Sequence, residues 1–132
     1  MSTPLRINER TSGRYLAKLR TETLALLTPA DLTTFRLRLY DKDTGTVLNN
    51  RNWQDVLNAN GVTLYSTLQT AADGKTYNLA WTLAPADNAV VTDGDGHEEH
   101  VALFHATTPS GREMYYEATI WVKRLAHVPE AA

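Results

Sequence analysis

The chain lacks cysteine and long apolar segments, and these two absences limit what it can be. No cysteine occurs in 132 residues, which excludes a disulfide framework, a cysteine zinc site and a thiol nucleophile. The longest uninterrupted apolar runs, such as Leu24–Leu27 and Val101–Phe104, are only four residues long, far too short to span a bilayer. The first ten residues also lack the apolar stretch of a secretory signal. We therefore expect a soluble protein that is not exported.

An excess of one charge is also absent. Thirteen Lys and Arg are balanced by fifteen Asp and Glu, which gives a net charge of −2 and no basic footprint for nucleic acid or an acidic membrane. The remaining composition, 42% hydrophobic and 21% charged, is that of an ordinary folded domain. A chain of this length buries roughly 65–70% of its unfolded surface, enough for a core without covalent staples. We expect one domain, with no nucleic acid or membrane among its partners.

Alternation with a period of two dominates the sequence. It predicts strands, which we assign to Arg14–Arg20, Thr33–Asp41, Thr46–Leu48, Val62–Tyr65, Tyr77–Leu83, Glu99–Thr107 and Glu113–Lys123. The segment Glu99–Thr107 is apolar on both faces, as a central strand would be. Turn residues separate these strands, so the pattern predicts an all-β antiparallel sandwich of about six to eight short strands, with a small closed barrel as the alternative.

Helical signals are few and short. Trp53, Val56 and Leu57 have helical spacing and precede Asn60-Gly61, which predicts one or two helical turns. The two Pro-Ala-Asp triplets at 29–31 and 85–87 each predict a single turn between strands. We expect a sandwich domain at residues 14–125, preceded by an N-terminal arm at 1–13 and followed by a tail at 126–132.

The segment Asp93–His100 contains carboxylates, glycines and histidines, which are the ingredients of a metal site. Its spacing matches neither an EF-hand loop nor a zinc-binding helix. His100 and His105 lie an odd number of positions apart on a predicted strand, so they face opposite sides of the sheet. We therefore expect no metal and no cofactor, and interpret Glu98 and Glu99 as hydrated edge charges, with a metal site in this segment as the alternative.

Catalytic patterns are not found in the sequence. Its four serines lie at turns or near the N-terminus, without a Gly-x-Ser-x-Gly elbow. The glycines form no phosphate-binding loop. A pair of carboxylates drawn from the fifteen acids remains open, because any two of them could converge in the fold. We expect that the protein is not an enzyme.

Aromatic and arginine side chains occupy rows that should be polar and should face solvent. Residue types of this kind are enriched at protein–protein hot spots. The predicted interface residues are Arg36, Arg38, Tyr40, Tyr115, Glu117 and Trp121. Two simpler interpretations are that a helical turn, a loop or the terminal tail covers them, or that the two arginines pair across strands with Glu113 and Glu117. The interface hypothesis fails if Trp121 is fully buried in the isolated chain.

The other two tryptophans have structural interpretations. Trp81 lies between Leu79 and Leu83 in an alternating row, so we expect it to fill the core. Trp53 is expected to anchor the 50–60 segment onto the sheet.

Three stretches resemble the small Ig-like domains that are encoded among the structural genes of tailed bacteriophages. Residues 32–45 (LTTFRLRLYDKDTG) resemble the first hairpin of those domains, and 77–87 (YNLAWTLAPAD) their middle. Residues 98–122, with the turn at Ser110-Gly111, look like the last two strands. The N-terminal domain of phage baseplate upper proteins is one relative of this style. The resemblance covers residues 14–125 and implies an Ig-like β-sandwich without catalytic residues.

The resemblance also implies a setting for the protein. It suggests a virion structural protein, made in the cytoplasm of the host bacterium, that decorates the capsid or completes the head–tail junction or tail. The sequence has no helical extension or receptor-binding module like that of the baseplate protein, which favours a stand-alone accessory subunit. The implied partners are other virion proteins of the capsid, neck or tail, with a homo-oligomer on a symmetric assembly. The alternative is a carbohydrate- or receptor-binding module of a tail or baseplate, with Tyr40, Tyr115 and Trp121 as stacking platforms.

Overall fold

A computed structural model describes residues 5–91 and 96–125 of the chain, and within them the only regular secondary structure is strands and short 3-10 turns. The strands are β1 Leu5–Asn8, β2 Gly13–Ala17, β3 Thr34–Asp41, β4 Gln54–Asp55, β5 Val62–Thr70, β6 Thr76–Leu83, β7 His97–Thr107 and β8 Glu113–Lys123. The two Pro-Ala-Asp triplets form 3-10 turns at Pro29–Asp31 and Pro85–Asn88, as predicted. No helix in this part of the chain is long and apolar enough to cross a bilayer.

The strands form two facing sheets. One has five strands in the order β1-β8-β7-β3-β4, and the other has three in the order β2-β6-β5. All neighbours are antiparallel except β1 and β8, which run parallel. The second, sixth and fifth strands on one side and the third, seventh and eighth on the other have the arrangement of an immunoglobulin-type sandwich. The predicted sandwich is therefore confirmed, and β7 is the central strand of the larger sheet.

The core lies between the two sheets and is closed by aromatic side chains. Trp81 of β6 is fully buried and meets Phe104 of β7 edge-on, with ring centroids 5.8 Å apart. Phe104 in turn stacks on Phe35 of β3 at 5.5 Å. The alternating leucines of β3 and the small alanines of β7 complete the interior face of the larger sheet. The predicted core position of Trp81 is confirmed.

The N-terminal boundary differs from the prediction. Leu5–Asn8 is not part of an arm, because it pairs with Ile120–Lys123 as an edge strand of the larger sheet. Leu5 and Ile7 pack against the buried core, which provides the stabilisation that so short a strand needs. The predicted tail at 126–132 lies outside the described residues.

The segment between β3 and β5 also differs from the prediction. The helical turns expected at Trp53–Leu57 are wrong, because Gln54 and Asp55 instead form the short strand β4 beside β3. The return strand expected at Thr46–Leu48 is reduced to one bridge, between Val47 and Tyr40. The hydrophobic spacing that mimicked a helix instead reflects one buried side chain, Val56, within an irregular loop.

A buried ion pair fixes this irregular loop. Arg51 is 4% exposed, and its Nε donates to Oδ1 of Asp87 at 2.6 Å while its Nη2 donates to Oδ2 at 3.2 Å. Arg51 Nη2 also donates to the carbonyl oxygen of Asn60 at 3.0 Å. Asp87 belongs to the second 3-10 turn, so one carboxylate ties the loop to the end of β6. This anchor determines where the loop places Trp53.

Candidate interaction surface

The outer face of the five-stranded sheet brings all six predicted interface residues together. The pairing of β3, β7 and β8 aligns Arg36 with His105 and Tyr115 in one row across the sheet. The next row contains Arg38, Leu103 and Glu117. Tyr40 and Trp121 lie further along the same face, with Trp121 about 20 Å from Tyr115 along β8. Residues that are up to 85 positions apart in the chain thus form one surface.

One end of this face holds the Tyr115 cluster, which we define as Trp53, His105, Glu113 and Tyr115. The rings of Tyr115 and His105 stack with centroids 4.6 Å apart, and Trp53 meets His105 edge-on at 6.0 Å. Glu113 lies 2.9 Å from Nε2 of His105. Tyr115 remains 59% exposed, the most exposed aromatic residue among the large hydrophobics of the described chain. Contacts within the cluster therefore hold the ring of Tyr115 in place, while more than half of this residue remains exposed to solvent.

Trp53 reaches this cluster through a strained backbone. Its φ is +56°, in the left-handed region that costs a bulky residue of the order of 1 kcal/mol or more. Its neighbours in the loop with positive φ are mostly asparagines, which tolerate this conformation. Trp53 contacts β7 as expected of an anchor, but it does so on the outer face of the sheet, so that it adds an aromatic side chain to the Tyr115 cluster.

The other end of the face holds the Trp121 cluster, which we define as Arg6, Lys42, His97, Glu99 and Trp121. The guanidinium carbon of Arg6 lies 4.2 Å from the centre of the indole, and the ring of His97 stacks on it at 4.7 Å. Because β1 and β7 flank β8 on opposite sides, these two groups approach the indole from opposite sides. Trp121 is half-buried, so the result that would have excluded the interface hypothesis does not occur.

Hydrogen bonds and charge fix the orientation of Trp121. Its Nε1 donates to Oε1 of Glu99 at 3.1 Å, and Oε2 of Glu99 pairs with Nζ of Lys42 at 2.7 Å. The Lys42 hydrogen bond is the main cause that lowers the pKa of Glu99, with a smaller contribution from Trp121. The same contact raises the pKa of Lys42. Glu99 is therefore ionised at neutral pH and accepts the indole hydrogen bond as a carboxylate.

The two arginines of β3 do not pair with the acids of β8. Strand β7 lies between β3 and β8, which separates the two strands by about 10 Å. Glu113 pairs instead with His105, and within the described chain neither Arg36 nor Arg38 forms an ion pair. Arg38 lies over the ring of Tyr40 at 5.1 Å. The simpler interpretation, in which these arginines are satisfied across the sheet, is wrong.

Part of the predicted metal segment forms a buried polar network. Asp93 and Asp95 lie outside the described residues, whereas Glu98 and His100 point inward and join Asp41. Glu98 is 4% exposed, so its interpretation as a hydrated edge charge is wrong. His100 is fully buried and His105 lies on the outer face, which confirms that the two histidines face opposite sides.

The groups around these carboxylates are hydrogen-bond donors, which suits a hydrogen-bond network better than a metal site. Nε2 of His100 donates to Glu98 at 2.8 Å, and the backbone N–H of Val91 donates to both oxygens of Glu98 at 3.0 and 2.9 Å. Arg124 adds a cation at 3.2 Å from the same carboxylate. Asp41 accepts hydrogen bonds from the backbone and hydroxyl groups of Thr44. A metal ion would have to displace these donors and lie beside a guanidinium, so the fit to a metal is poor.

Seven residues of the two clusters were not among the predicted interface residues: Arg6, Lys42, Trp53, His97, Glu99, His105 and Glu113. The two histidines share the parity of Glu99 on β7, so alternation alone could have placed them on the outer face. Alternation gave no such signal for Arg6 and Trp53. The position of Arg6 on this face depends on the pairing of β1, and that of Trp53 depends on its own left-handed backbone conformation in an irregular loop.

Comparisons with protein-family models, curated proteins and solved structures found no match to this chain.

Proposed function

We propose that the protein is a non-enzymatic structural protein of a tailed-bacteriophage virion, a capsid decoration or head–tail or tail accessory subunit that docks through the outer face of its larger sheet. The observation that carries the docking role is the Tyr115 cluster. It presents an exposed tyrosine, stacked on His105, which Trp53 contacts in turn, on the same face as the arginines of β3. Aromatic and arginine anchors surrounded by polar groups are the usual composition of an interface centre.

The preorganisation of this surface supports binding to a macromolecule. The rings are held by stacking and by strand pairing before any partner arrives, so little side-chain entropy is lost on docking. Leu103, half-buried in the adjacent row, adds apolar area between Arg38 and Glu117. The phage setting rests on the resemblance of the strands and hairpins to Ig-like virion domains. A symmetric particle would use many copies of such a rigid module.

A depletion and add-back experiment tests this proposal. Particles of the phage or prophage that encodes the chain are prepared without it and then incubated with the purified protein, and the bound fraction is measured by sedimentation. We expect the wild-type protein to sediment with the particles and Tyr115→Ala or Arg36→Ala to bind at least tenfold more weakly. Leu68→Ala is the matched control, because Leu68 is also exposed, at 43%, but lies on the other sheet.

The outcomes separate the alternatives. Particles that never bind the wild-type protein, and that lack it when made normally, would contradict a virion role. Equal loss with Leu68→Ala would show that the outer face of the larger sheet is not the docking surface.

The second candidate is carbohydrate binding, and the exposed ring of Tyr115 is the observation that favours it. The indole of Trp121 is a poor platform for a sugar, because Arg6 and His97 already cover it. A glycan array probed with wild-type protein and Tyr115→Ala distinguishes this function. Binding of a glycan that is lost with Tyr115→Ala, together with no binding to particles, would favour it over assembly.

A further inference from the structure

A cleft lies at the Trp121 end of the outer face, away from the proposed docking centre. It has a volume of about 560 Å³ and is lined by the end of β8, the start of β7 and strand β1. This volume falls within the range of small-molecule sites, which is about 300–1,000 Å³. The side chains that matter for its chemistry are Arg6, His97, Trp121, Lys123 and Arg124.

The cleft has a surplus of positive charge. Among the described residues, its lining contains three cationic side chains, of Arg6, Lys123 and Arg124, and no carboxylate. Arg124 already interacts with the buried Glu98 at 3.2 Å. Within the described chain, Arg6 and Lys123 form no ion pair, and Glu99, the acid of the Trp121 cluster, is engaged by Lys42. The local field therefore favours an anionic ligand.

Arg6 is prepared for that ligand. Its guanidinium group stacks on Trp121 at 4.2 Å, and the indole is itself fixed by the hydrogen bond to Glu99 and by the stacked ring of His97. Stacking occupies the flat face of a guanidinium group and leaves its N–H edge available. Such an edge binds the two oxygens of a carboxylate or phosphate through parallel hydrogen bonds.

We propose that this cleft binds a small organic anion, whose carboxylate or phosphate group pairs with Arg6 and is attracted by Lys123. The site goes beyond the proposed docking function, since it uses Arg6 and Lys123 rather than Tyr115 and Arg36. The cations hold the charged group of the ligand, whereas its body lies beside His97 and the edge of the Trp121 indole, whose faces are covered by Arg6 and His97.

Nuclear magnetic resonance titration of the intact chain tests the site. The probes are D-glucuronate and D-glucose 6-phosphate, with D-glucose as the neutral counterpart and inorganic phosphate as the bare anion. The readouts are the indole N–H signal of Trp121 and the amide signals of Arg6 and Lys123. We expect saturable shifts at millimolar concentrations with one or both sugar anions and none with glucose. The sugar that responds identifies the charged group as a carboxylate or a phosphate.

Two variants test whether the shifts in the NMR signals depend on Arg6 and Lys123. Arg6→Gln and Lys123→Gln should each weaken binding, and Arg6→Gln by at least tenfold. Arg14→Gln is the matched control, because Arg14 also stacks on an aromatic ring, that of Tyr77 at 5.6 Å, but on the other sheet. Arg6, Lys123 and Arg14 are all exposed, and the amide spectrum of each variant verifies its fold.

Four results would overturn the proposal: no response to either sugar anion, an equal response to glucose, binding that Arg6→Gln leaves unchanged, or equal binding of inorganic phosphate alone. None of these results bears on sedimentation with particles, which depends on the Tyr115 cluster. The proposal of an anion site in the cleft and the proposal of a docking surface can therefore be contradicted independently of each other.

Discussion

Tyr115 and His105 stack with ring centroids 4.6 Å apart and an interplanar angle of 26°, although they lie on two different strands of the sheet. They are direct partners in the β7–β8 ladder, so strand pairing places the two rings side by side. Glu113, two positions before Tyr115 on β8, also fixes the histidine, at 2.9 Å from its Nε2. The exposed tyrosine is therefore a rigid feature of the surface, which is the property that an anchor residue needs.

Loss of the tyrosine ring should affect binding far more than folding. Tyr115→Ala removes the stacking on His105 but little buried area, so we expect it to lower the free energy of unfolding by about 0.5–1.5 kcal/mol. Urea unfolding measures this quantity. A destabilisation well above this range would mean that the residue supports the fold and that any loss of docking has a structural cause.

The strained position of Trp53 allows a comparison of two variants. Both Trp53→Ala and Trp53→Gly remove the indole, but only glycine adopts a φ of +56° without a steric penalty. We expect Trp53→Gly to be more stable than Trp53→Ala by about 1 kcal/mol, and both to lose affinity for particles. Equal stability of the two variants in urea unfolding would contradict the left-handed conformation.

The buried ion pair should be among the most sensitive positions of the fold. Arg51→Met leaves the carboxylate of Asp87, which is 1% exposed, without its cation. We expect a loss of about 3–5 kcal/mol in the free energy of unfolding. Lys42→Met is the control, since it breaks an ion pair whose lysine side chain is 60% exposed, and solvent screening makes its contribution small. Similar costs for the two variants would contradict the burial of the Arg51 pair.

A single asparagine of β6 holds the connection between β2 and β3. Asn78 is fully buried; its Oδ1 accepts a hydrogen bond from the N–H of Leu19 at 2.7 Å, and its Nδ2 donates to the carbonyl oxygens of Leu19 and Leu27. Asn78→Ala leaves the N–H of Leu19 and the carbonyl oxygen of Leu27 unsatisfied, and we expect a cost of about 3 kcal/mol. The exposed Asn52 supplies a control, since Asn52→Ala should change stability by less than about 0.5 kcal/mol. Thermal unfolding of both variants measures these two stability changes, and equal values would contradict the role of Asn78.

The contact between Lys42 and Glu99 predicts a defined pH range. The pKa of Glu99 is lowered from its ordinary value of 4.5, so the stabilisation by Glu99 is present above pH 4.5 and is lost as the pH falls through the lowered pKa. The pKa of Lys42 is raised from 10.5, so its stabilisation is present below pH 10.5 and is lost as the pH rises through the raised pKa. The contact therefore contributes fully between these limits.

Substitution of the lysine tests the assignment of this contact. Lys42→Ala should raise the pKa of Glu99 toward 4.5, because the Lys42 hydrogen bond is the largest cause of the shift. Carbon NMR of the carboxyl group measures it. Lys75→Ala, at an exposed lysine in the turn between β5 and β6 of the other sheet, should leave the Glu99 titration unchanged. An unchanged pKa in Lys42→Ala would mean that another group holds the carboxylate.

The features of the structure that follow from period-two alternation could be predicted from the sequence. Period-two patterning determines which side of a strand a residue faces, so it placed Arg36 and Tyr115 outside and Trp81 inside without knowledge of strand order. Glu113–Lys123, the longest alternating segment, was predicted with the bounds that the structure has.

Features that depend on long-range contacts could not be predicted in this way. The position of Trp53 depends on a loop fixed by Asp87, which is 36 positions from Arg51. The short strand β1 pairs with the opposite end of the chain, and four residues carry too little pattern to reveal a strand. Glu98 was misassigned because an acid next to a loop is usually hydrated, whereas here an arginine, a histidine and a backbone amide satisfy it.

The most direct test of the central claim is cryo-electron microscopy of purified particles from the encoding phage or prophage, with mass spectrometry to establish that the chain is present. The account predicts stoichiometric copies at a symmetric site, with the Tyr115 cluster and Arg36 buried against a neighbouring virion protein. Particles without the chain would contradict the virion role. Particles in which it docks through the three-stranded sheet, leaving Tyr115 in solvent, would contradict the proposed surface.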